Sequence, residues 1–266
     1  MELQGRVKEL RSKGLNVAAI SYDPVAVLAD FARRRDITFP LLSDAGSVTI
    51  TDYGILNTTV ASTSRIRGIP FPGTFILDRR AVVTARFFEQ NYQERETAAS
   101  ILTRLGSHEL RSSTLVSAPS LTIASSVTDS AVALGTNFSL ILDLEPAKGV
   151  HVYAPGVTGY TPIALAIDSQ PGLLVKDAVY PASEDYYFKP LNEQVPVFQQ
   201  PFRIVQDVAI DPTIPGQVAL QGVSTVTITG TLRYQACDDR VCFSPQSVPL
   251  SWTVTLHPLD LERARR

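Results

Sequence analysis

The sequence is poor in cysteine, histidine and long apolar runs, and each shortage excludes a class of protein. Two cysteines and three histidines in 266 residues are too few for a disulfide framework or a zinc site, and no metal or other cofactor is expected. No run approaches the roughly 20 apolar residues of a membrane-spanning helix. The net charge of −2, with a pI near 5.9, provides no basic surface for nucleic acid or an anionic membrane.

The charge and the hydrophobic period both change along the chain, which indicates two domains. The first 106 residues carry a net positive charge and the remainder a net negative one. We predict a first domain over residues 1–106, a polar linker over 107–120, a second domain over 121–258 and a charged tail over 259–266. At this length, two domains are the ordinary expectation.

The first domain alternates helical and strand periods. It opens on a charged amphipathic helix with Leu3, Val7 and Leu10 on one face. This opening lacks the apolar core of a signal peptide. Strands alternating with helices predict an α/β sheet covered by helices. The predicted strands cover 16–21, 38–44, 71–78 and 81–88.

The second domain shows strand periods alone. Residues 137–146 alternate apolar and polar side chains, as in a strand with one buried face. Glycine and proline separate further segments of this kind, which favours an antiparallel sandwich. These segments are 151–154, 163–168, 173–180, 202–210, 218–223, 226–234 and 247–256.

Four motifs of the first domain carry a family resemblance: LNVAAISYDP, ITFPLLSD, DYGIL and RGIPFPGTFILD. On these motifs, residues 3–105 resemble the peroxiredoxin (AhpC/TSA) branch of the thioredoxin-like superfamily. The resemblance implies that Pro72 is the proline that precedes the strand beside the active site. In cis form, such a proline exposes backbone groups to an incoming peptide.

The cysteine of that family has no counterpart in the first domain. The family's reactive cysteine begins a helix, where the helix terminus stabilises the thiolate, and this chain opens inside the corresponding helix. The resemblance therefore implies a domain without its first βα unit, and residues 1–236 contain no cysteine. We expect the chain to be a fragment, or a gene model begun at an internal Met, with a signal peptide also lost upstream. A naturally cysteine-free domain is the alternative.

Cys237 and Cys242 form the strongest chemical signal, because alternating strands lead into and out of them. Such a hairpin brings two Cα atoms within the ~4.4–6.8 Å that a disulfide tolerates. Closing so short a loop adds little stability, since the effect grows with loop length. The spacing therefore favours a switching pair. A passive disulfide and two buried free thiols are the alternatives.

Residues ~120–257 resemble the amino-terminal (alpha) domain of the thiol:disulfide interchange protein DsbD. The resemblance implies an immunoglobulin-like sandwich, partners with thioredoxin-like folds joined through mixed disulfides, and a periplasmic or otherwise extracytoplasmic location. The C-x4-C spacing is one residue shorter than in well-known members, and Ser244 interrupts a Cys-aromatic-Pro-Pro run. The matching residues are Tyr234, Gln235, Cys237, Cys242, Pro245, Val248–Leu250 and the VHVYAPG segment at 150–156.

The same resemblance assigns roles around the cysteines. By this resemblance, Cys242 would meet partners and Cys237 would resolve the mixed disulfide. The residues themselves leave this order open, because Asp238 and Asp239 would raise the pKa of a thiol whereas Arg240 would lower it. A cap within residues 183–190 would shield the pair, and its alternative is an ordinary surface loop. The cap residues are Glu184, Asp185, Tyr186, Tyr187 and Phe188, and the supporting residues near the pair are His151, Tyr153 and Tyr234.

Three hypotheses for function follow. The first is a thiol–disulfide oxidoreductase that transfers electrons through Cys237 and Cys242 and so serves cell redox homeostasis. The second is a peroxiredoxin-like antioxidant enzyme whose active cysteine lies upstream of this chain. The third is a non-catalytic immunoglobulin-like binding module with a structural disulfide. The direction of electron flow, the partner and the oligomeric state are left open.

Overall fold

A computed structural model describes residues 2–64, 66–88, 95–106, 113–188 and 192–258. The chain divides into two compact units, one formed by residues up to 107 and the other by residues 108–258. Residues 107–112 of the predicted linker and the predicted tail at 259–266 lie outside the described residues.

The first unit combines helices and strands, as the alternating periods predict, but its first four strands form two separate two-stranded sheets instead of one. Its parallel strands β1 and β2 pair Ala19 with Leu41, and its antiparallel strands β3 and β4 pair Gly73 with Phe88. The elements are α1 (Glu2–Ser12), β1 (Ala19–Ser21), α2 (Val25–Arg34), β2 (Leu41–Ser43), α3 (Val48–Asp52), β3 (Gly73–Leu77), β4 (Val83–Phe88), β5 (Arg95–Glu96) and α4 (Ala98–Arg104).

The apolar face of α1 is buried against α4, which explains the spacing of its leucines. Leu10 packs with Ala98 and Leu102, and Leu3 adds a half-buried side chain to this cluster. Val7 is 2% exposed. These residues lie on one face of the helix at helical spacing, and that face is the one that is buried.

The prediction of a cis proline at Pro72 is wrong, because the described residues contain no cis peptide bond. The chain runs extended through this point into β3. The N–H of Phe71, just before Pro72, donates to the carbonyl of Ile55 at 2.7 Å. That backbone group is paired within its own unit, and the trans form is the lower-energy isomer for most X–Pro bonds.

The described strands of the second unit form three sheets, which are antiparallel except for one short strand. The first has the order β12-β15-β9-β7-β6, the second β11-β16-β18-β8, where β8 adds in parallel, and the third β13-β14-β10-β17. The strands are β6 (Thr114–Ala118), β7 (Leu121–Val127), β8 (Ala131–Val132), β9 (Thr136–Pro146), β10 (His151–Tyr153), β11 (Ala164–Ile167), β12 (Leu173–Val179), β13 (Glu184–Phe188), β14 (Glu193–Phe198), β15 (Phe202–Ile210), β16 (Thr225–Tyr234), β17 (Ala236–Cys237) and β18 (Gln246–Leu256).

The core of this unit combines inward-facing residues of the first two sheets. Phe138 and Leu142 of β9 and Ile228 of β16 are fully buried in one cluster with Trp252 of β18. Strands β16 and β18 alternate buried and outward positions. Strand β9 is instead buried at nearly every position, so the expectation of one buried face at residues 137–146 is wrong. A core between two sheets confirms the predicted sandwich.

Strands β7, β13 and β14 were not predicted, and two further segments differ from the sequence prediction. Residues 114–118, assigned to the linker, form β6, which pairs with β7 and whose exposed positions suit an edge strand. Residues 218–223, assigned to a strand, instead form the end of the short helix α5 (Ile214–Ala219) and the turn after it. A proline in the first turn of α5 fits the helix because its missing N–H would be unpaired there.

The described part of the chain contains no helix that is both long and apolar enough to cross a bilayer.

Gly230 allows β11 to lie close to β16. A Cβ at this position would be 2.6 Å from the backbone carbonyl oxygen of Ala166, so the strands would have to separate. We expect Gly230→Ala to lower the free energy of unfolding of the second unit by roughly 1–3 kcal/mol, as overpacking does. Urea unfolding followed by fluorescence of the single tryptophan, Trp252, measures this change.

Thr227→Ala is the matched control, because Thr227 is an exposed position on the same strand. We expect it to change the free energy by less than about 0.5 kcal/mol. Equal stability of Gly230→Ala and the parent would contradict the close packing of β11 on β16.

Candidate functional site

The two cysteines form a disulfide across a tight hairpin. Cys237 ends β17 and Cys242 follows a four-residue turn, and their Cα atoms are 4.1 Å apart, just under the range expected from sequence. The register of β10 and β17 places His151 directly opposite Cys237. The pair therefore lies on the third sheet of the second unit.

Asp238 shapes the turn between the cysteines. Its Oδ1 accepts hydrogen bonds from the backbone N–H groups of Arg240 at 2.8 Å and Val241 at 2.7 Å. These donors hold the pKa of the Asp238 carboxyl below its usual value. The Phe243 N–H closes the hairpin by donating to the Ala236 carbonyl at 2.9 Å.

The two sulfur-bearing residues differ in accessibility. Cys237 is 1% exposed and packs with Tyr153, Val195 and Val197. Cys242 is exposed, and so are its neighbours Val241 and Phe243. The two cysteines therefore differ in their exposure to solvent.

The hydroxyl of Tyr153 contacts both sulfurs. Its Oη lies 3.1 Å from Sγ of Cys237 and 3.4 Å from Sγ of Cys242. Burial is the main cause that raises the pKa of Tyr153 far above its ordinary value, and the neighbouring Tyr160 raises it further. Tyr153 therefore remains a neutral hydroxyl, able to donate to a thiolate or accept from a thiol.

Two residues of this site, Tyr160 and Glu193, were not predicted from the sequence. The Tyr160 ring stacks on Tyr153 with ring centroids 4.1 Å apart, and its hydroxyl donates to Oε2 of Glu193 at 2.8 Å. This hydrogen bond is the main reason why the pKa of Tyr160 is raised. Both residues lie in or beside turns, where sequence period gives no signal.

Gln235 connects two segments around the pair. Its Oε1 accepts from the backbone N–H of Thr161 at 2.9 Å, and its Nε2 donates to the carbonyl of Phe243 at 3.0 Å. The segment after Tyr160 and the segment after Cys242 are thereby held together. This role explains why a glutamine stands between Tyr234 and the cysteine hairpin.

His151 is buried beside the pair, as predicted. Its ring makes an edge contact with Tyr153 at 5.4 Å and lies 4.4 Å from the ring of Tyr186. Burial lowers the pKa of His151, while the charges of Asp238 and Asp239 raise it to a smaller extent. The imidazole is therefore favoured in its neutral form.

The predicted cap segment forms strand β13, which pairs with β14 at the edge of the third sheet. Because side chains alternate along a strand, Tyr186 and Phe188 share one face, with ring centroids 6.5 Å apart. Tyr186 packs against the cluster that contains Cys237. Residues 189 and 190 of this segment lie outside the described residues.

Three other members of the predicted cap, Glu184, Asp185 and Tyr187, are exposed to solvent. Tyr187 is exposed, and its hydroxyl donates to Oδ1 of Asn192 at 2.6 Å. Glu184 accepts from Gln199, and Asp185 is exposed. Tyr186 is the cap residue that packs against the cluster containing Cys237.

The prediction that Tyr234 supports the cysteines is wrong. Tyr234 is fully buried in the main core, and its hydroxyl donates to the carbonyl of Pro119 at 2.7 Å. Strand alternation explains this position, since Leu232 and Tyr234 follow the inward face of β16. Burial raises the pKa of Tyr234 to about 12.

Within the described ranges, His, Cys, Asp and Glu side chains form no cluster suited to a metal ion.

Two family models match separate parts of the chain. Residues 1–86 match the AhpC/TSA family, and residues 122–250 match "Thiol:disulfide interchange protein DsbD, N-terminal". The chain thus joins a thioredoxin-like region to a DsbD amino-terminal-like region. Together with the disulfide between Cys237 and Cys242, these matches support thiol–disulfide exchange as the general type of chemistry. The second region has the immunoglobulin-like fold expected from the resemblance.

Two solved structures are similar to parts of the chain. The reduced DsbD N-terminal domain of Neisseria meningitidis is 14% identical, with a TM-score of 0.30, and the match covers 44% of this chain and 81% of that one. The N-terminal periplasmic domain of ScsB from Proteus mirabilis is 13% identical, with a TM-score of 0.35, covering 51% of this chain and 49% of that one. None of the curated proteins compared with the chain matches it.

The lowered pKa of His151 makes stability depend on pH. In the unfolded chain a histidine titrates near ~6.5, whereas the folded protein resists protonation of His151. As the pH falls through about 6.5 towards the lowered folded pKa, the unfolded state binds the proton first, and stability is lost. We expect the Trp252-monitored free energy of unfolding to decrease between pH 7.5 and 5.5.

His151→Gln should remove part of this decrease, because glutamine does not titrate. His257→Gln is the control, since His257 is exposed, and it should leave the decrease unchanged. The same pH dependence in His151→Gln as in the parent would show that other groups cause it.

Proposed function

We propose that this chain exchanges disulfides with protein partners through Cys237 and Cys242. The observation that carries the proposal is a bonded pair in which one cysteine is exposed and the other is 1% exposed. This arrangement provides one sulfur for a partner and one protected sulfur to resolve the mixed disulfide. The absence of cysteine from residues 1–236 assigns the chemistry to the second unit.

The difference in exposure supports one order of steps. In the reduced protein the Cys242 thiolate attacks a partner disulfide, forming a mixed disulfide and releasing the partner's first thiolate. Cys237 then attacks Sγ of Cys242, which forms the Cys237–Cys242 bond and releases the partner's second thiolate. Two electrons pass from the cysteine pair to the partner, and the same steps run in reverse.

Aromatic side chains support these steps. The Tyr153 hydroxyl lies within hydrogen-bond distance of both sulfurs, so it can donate to whichever sulfur carries negative charge. Tyr186 covers the buried side of the pair by packing against His151 and the Cys237 cluster. Val241 and Phe243 form an exposed apolar rim beside Cys242 on which a partner can dock.

The partners we propose are proteins with thioredoxin-like folds, and the compartment is periplasmic or otherwise extracytoplasmic. The DsbD-type family match supports this class of partner. A solvent-facing disulfide persists in an oxidising compartment, whereas cytosolic reductants keep such pairs reduced.

A redox titration separates exchange from a structural role. We expect the pair to interconvert in glutathione or dithiothreitol buffers within the range of roughly −120 to −270 mV found for exchange proteins. Alkylation of thiols, followed by mass measurement, counts the reduced fraction. A pair that stays oxidised below about −300 mV would instead be a structural bridge.

Single cysteine variants test the order of the steps. Cys237→Ser should trap a mixed disulfide with a thioredoxin-like partner, because the exposed Cys242 still attacks and nothing resolves the product. Cys242→Ser should form no trapped complex, since Cys237 is buried. Both variants should stay folded, because so short a loop contributes only about 2 kcal/mol by the chain-entropy estimate. Unfolding of either variant, or trapping by Cys242→Ser, would contradict the assignment.

A further inference from the structure

The loop between β10 and β11 brings Tyr160 back over Tyr153. The loop turns at Gly156 and Gly159, both at a φ of 86°, in the left-handed region that favours glycine. It closes where the N–H of Ile163 donates to the carbonyl of Tyr153 at 2.8 Å. The two tyrosine rings thereby stack, with centroids 4.1 Å apart and planes inclined by 16°.

A carboxylate on the neighbouring strand anchors the outer ring of this stack. Tyr160 Oη donates to Oε2 of Glu193 at 2.8 Å. Because side chains alternate along a strand, Glu193 lies on the same face of β14 as Val195 and Val197, the residues that pack with Cys237. The anchor is therefore part of the strand that buries the resolving cysteine.

The hydroxyl of Tyr153 has to be held in one place to serve both sulfurs. Its Oη lies 3.1 Å from Sγ of Cys237 and 3.4 Å from Sγ of Cys242. A hydrogen bond weakens steeply as its angle departs from linear, so a ring that tilts or slides loses these contacts. The stacked ring of Tyr160 restricts such motion by covering one face of Tyr153.

We infer that Tyr160, anchored by Glu193, is a positioning residue that holds the Tyr153 hydroxyl against the two sulfurs. The inference rests on the function proposed above, in which Cys242 attacks as a thiolate. A hydrogen bond donated by Tyr153 favours the charged form of a sulfur. Correct placement of this hydroxyl therefore raises the thiolate fraction of the reduced pair at neutral pH, and Tyr160 and Glu193 act through Tyr153.

The pH profile of Cys242 alkylation measures this effect. The full chain is reduced with dithiothreitol, separated from it and reacted with iodoacetamide, which attacks the thiolate. Trypsin cleavage after Arg240 places Cys237 and Cys242 on different peptides, so mass measurement follows each cysteine separately.

We expect Tyr160→Leu to slow alkylation of Cys242 by roughly threefold at pH 6 and not to slow it at pH 10, above the ordinary thiol pKa of about 8.5. Leucine removes both the stacked ring and the hydroxyl, so the thiolate fraction falls at pH 6. A less acidic thiol forms a more nucleophilic thiolate, which offsets part of that loss and removes it at high pH. Tyr160→Phe, which keeps the ring, should slow the reaction at pH 6 by a smaller factor.

Two variants of Glu193 separate its hydrogen bond from its charge. Both Glu193→Ala and Glu193→Gln remove the negative charge, but glutamine keeps an oxygen that accepts from the Tyr160 hydroxyl. Glu193→Ala should therefore react more slowly at pH 6 than Glu193→Gln. Equal rates for the two variants would contradict the anchoring role.

A double variant shows whether Tyr160 acts through the Tyr153 hydroxyl. In the Tyr153→Phe background that hydroxyl is gone, so adding Tyr160→Leu should cause no further slowing at pH 6. A general structural role of Tyr160 would slow both backgrounds alike and would overturn the inference. His151, Asp238 and Asp239 are charged or titratable groups around the pair, and they are the same in every variant compared.

Tyr187→Phe and Glu145→Gln are the matched controls. The first removes a tyrosine hydroxyl bound to Asn192, next to Glu193, and the second removes an exposed carboxylate on β9. Both should follow the parent profile. An unchanged profile in Tyr160→Leu would overturn the positioning, whereas the redox titration and the trapping experiment test the proposed function itself, since alkylation requires only that dithiothreitol reduce the pair.

Discussion

The contact between the Tyr153 hydroxyl and two sulfurs organises the site. The Tyr153 Oη lies 3.1 Å from Sγ of Cys237 and 3.4 Å from Sγ of Cys242. These contacts form because β10, which carries Tyr153, lies between β14 and β17, and β17 leads into the cysteine hairpin. A polar hydroxyl in a buried cluster needs a partner, and here the partners are the reactive atoms.

The difference in exposure between the cysteines follows from where the hairpin meets the sheet. Cys237 is still part of a strand and is buried by Val195 and Val197, whereas Cys242 has left the sheet and faces solvent. The turn held by Asp238 brings the two back together. A short loop thus combines one reachable sulfur with one protected sulfur.

The sequence predicted much of this arrangement. The α/β unit, the sandwich and the cysteine hairpin all follow from local period and spacing, because a half-buried strand or amphipathic helix repeats its burial along the chain. His151 and Tyr153 were also placed correctly beside the pair. Edge strand β6 and helix α5 were not, since their short, polar or exposed stretches carry no clear period.

The sequence by itself determined which atoms can react, because only Cys237 and Cys242 carry thiols. Tertiary structure alone decided which of them is exposed, and it placed Tyr234 in the core and Tyr160 with Glu193 beside the site. The physical reason is that the strand period fixes which face a residue occupies. The residues that pack against that face come from strands and turns that are distant in sequence.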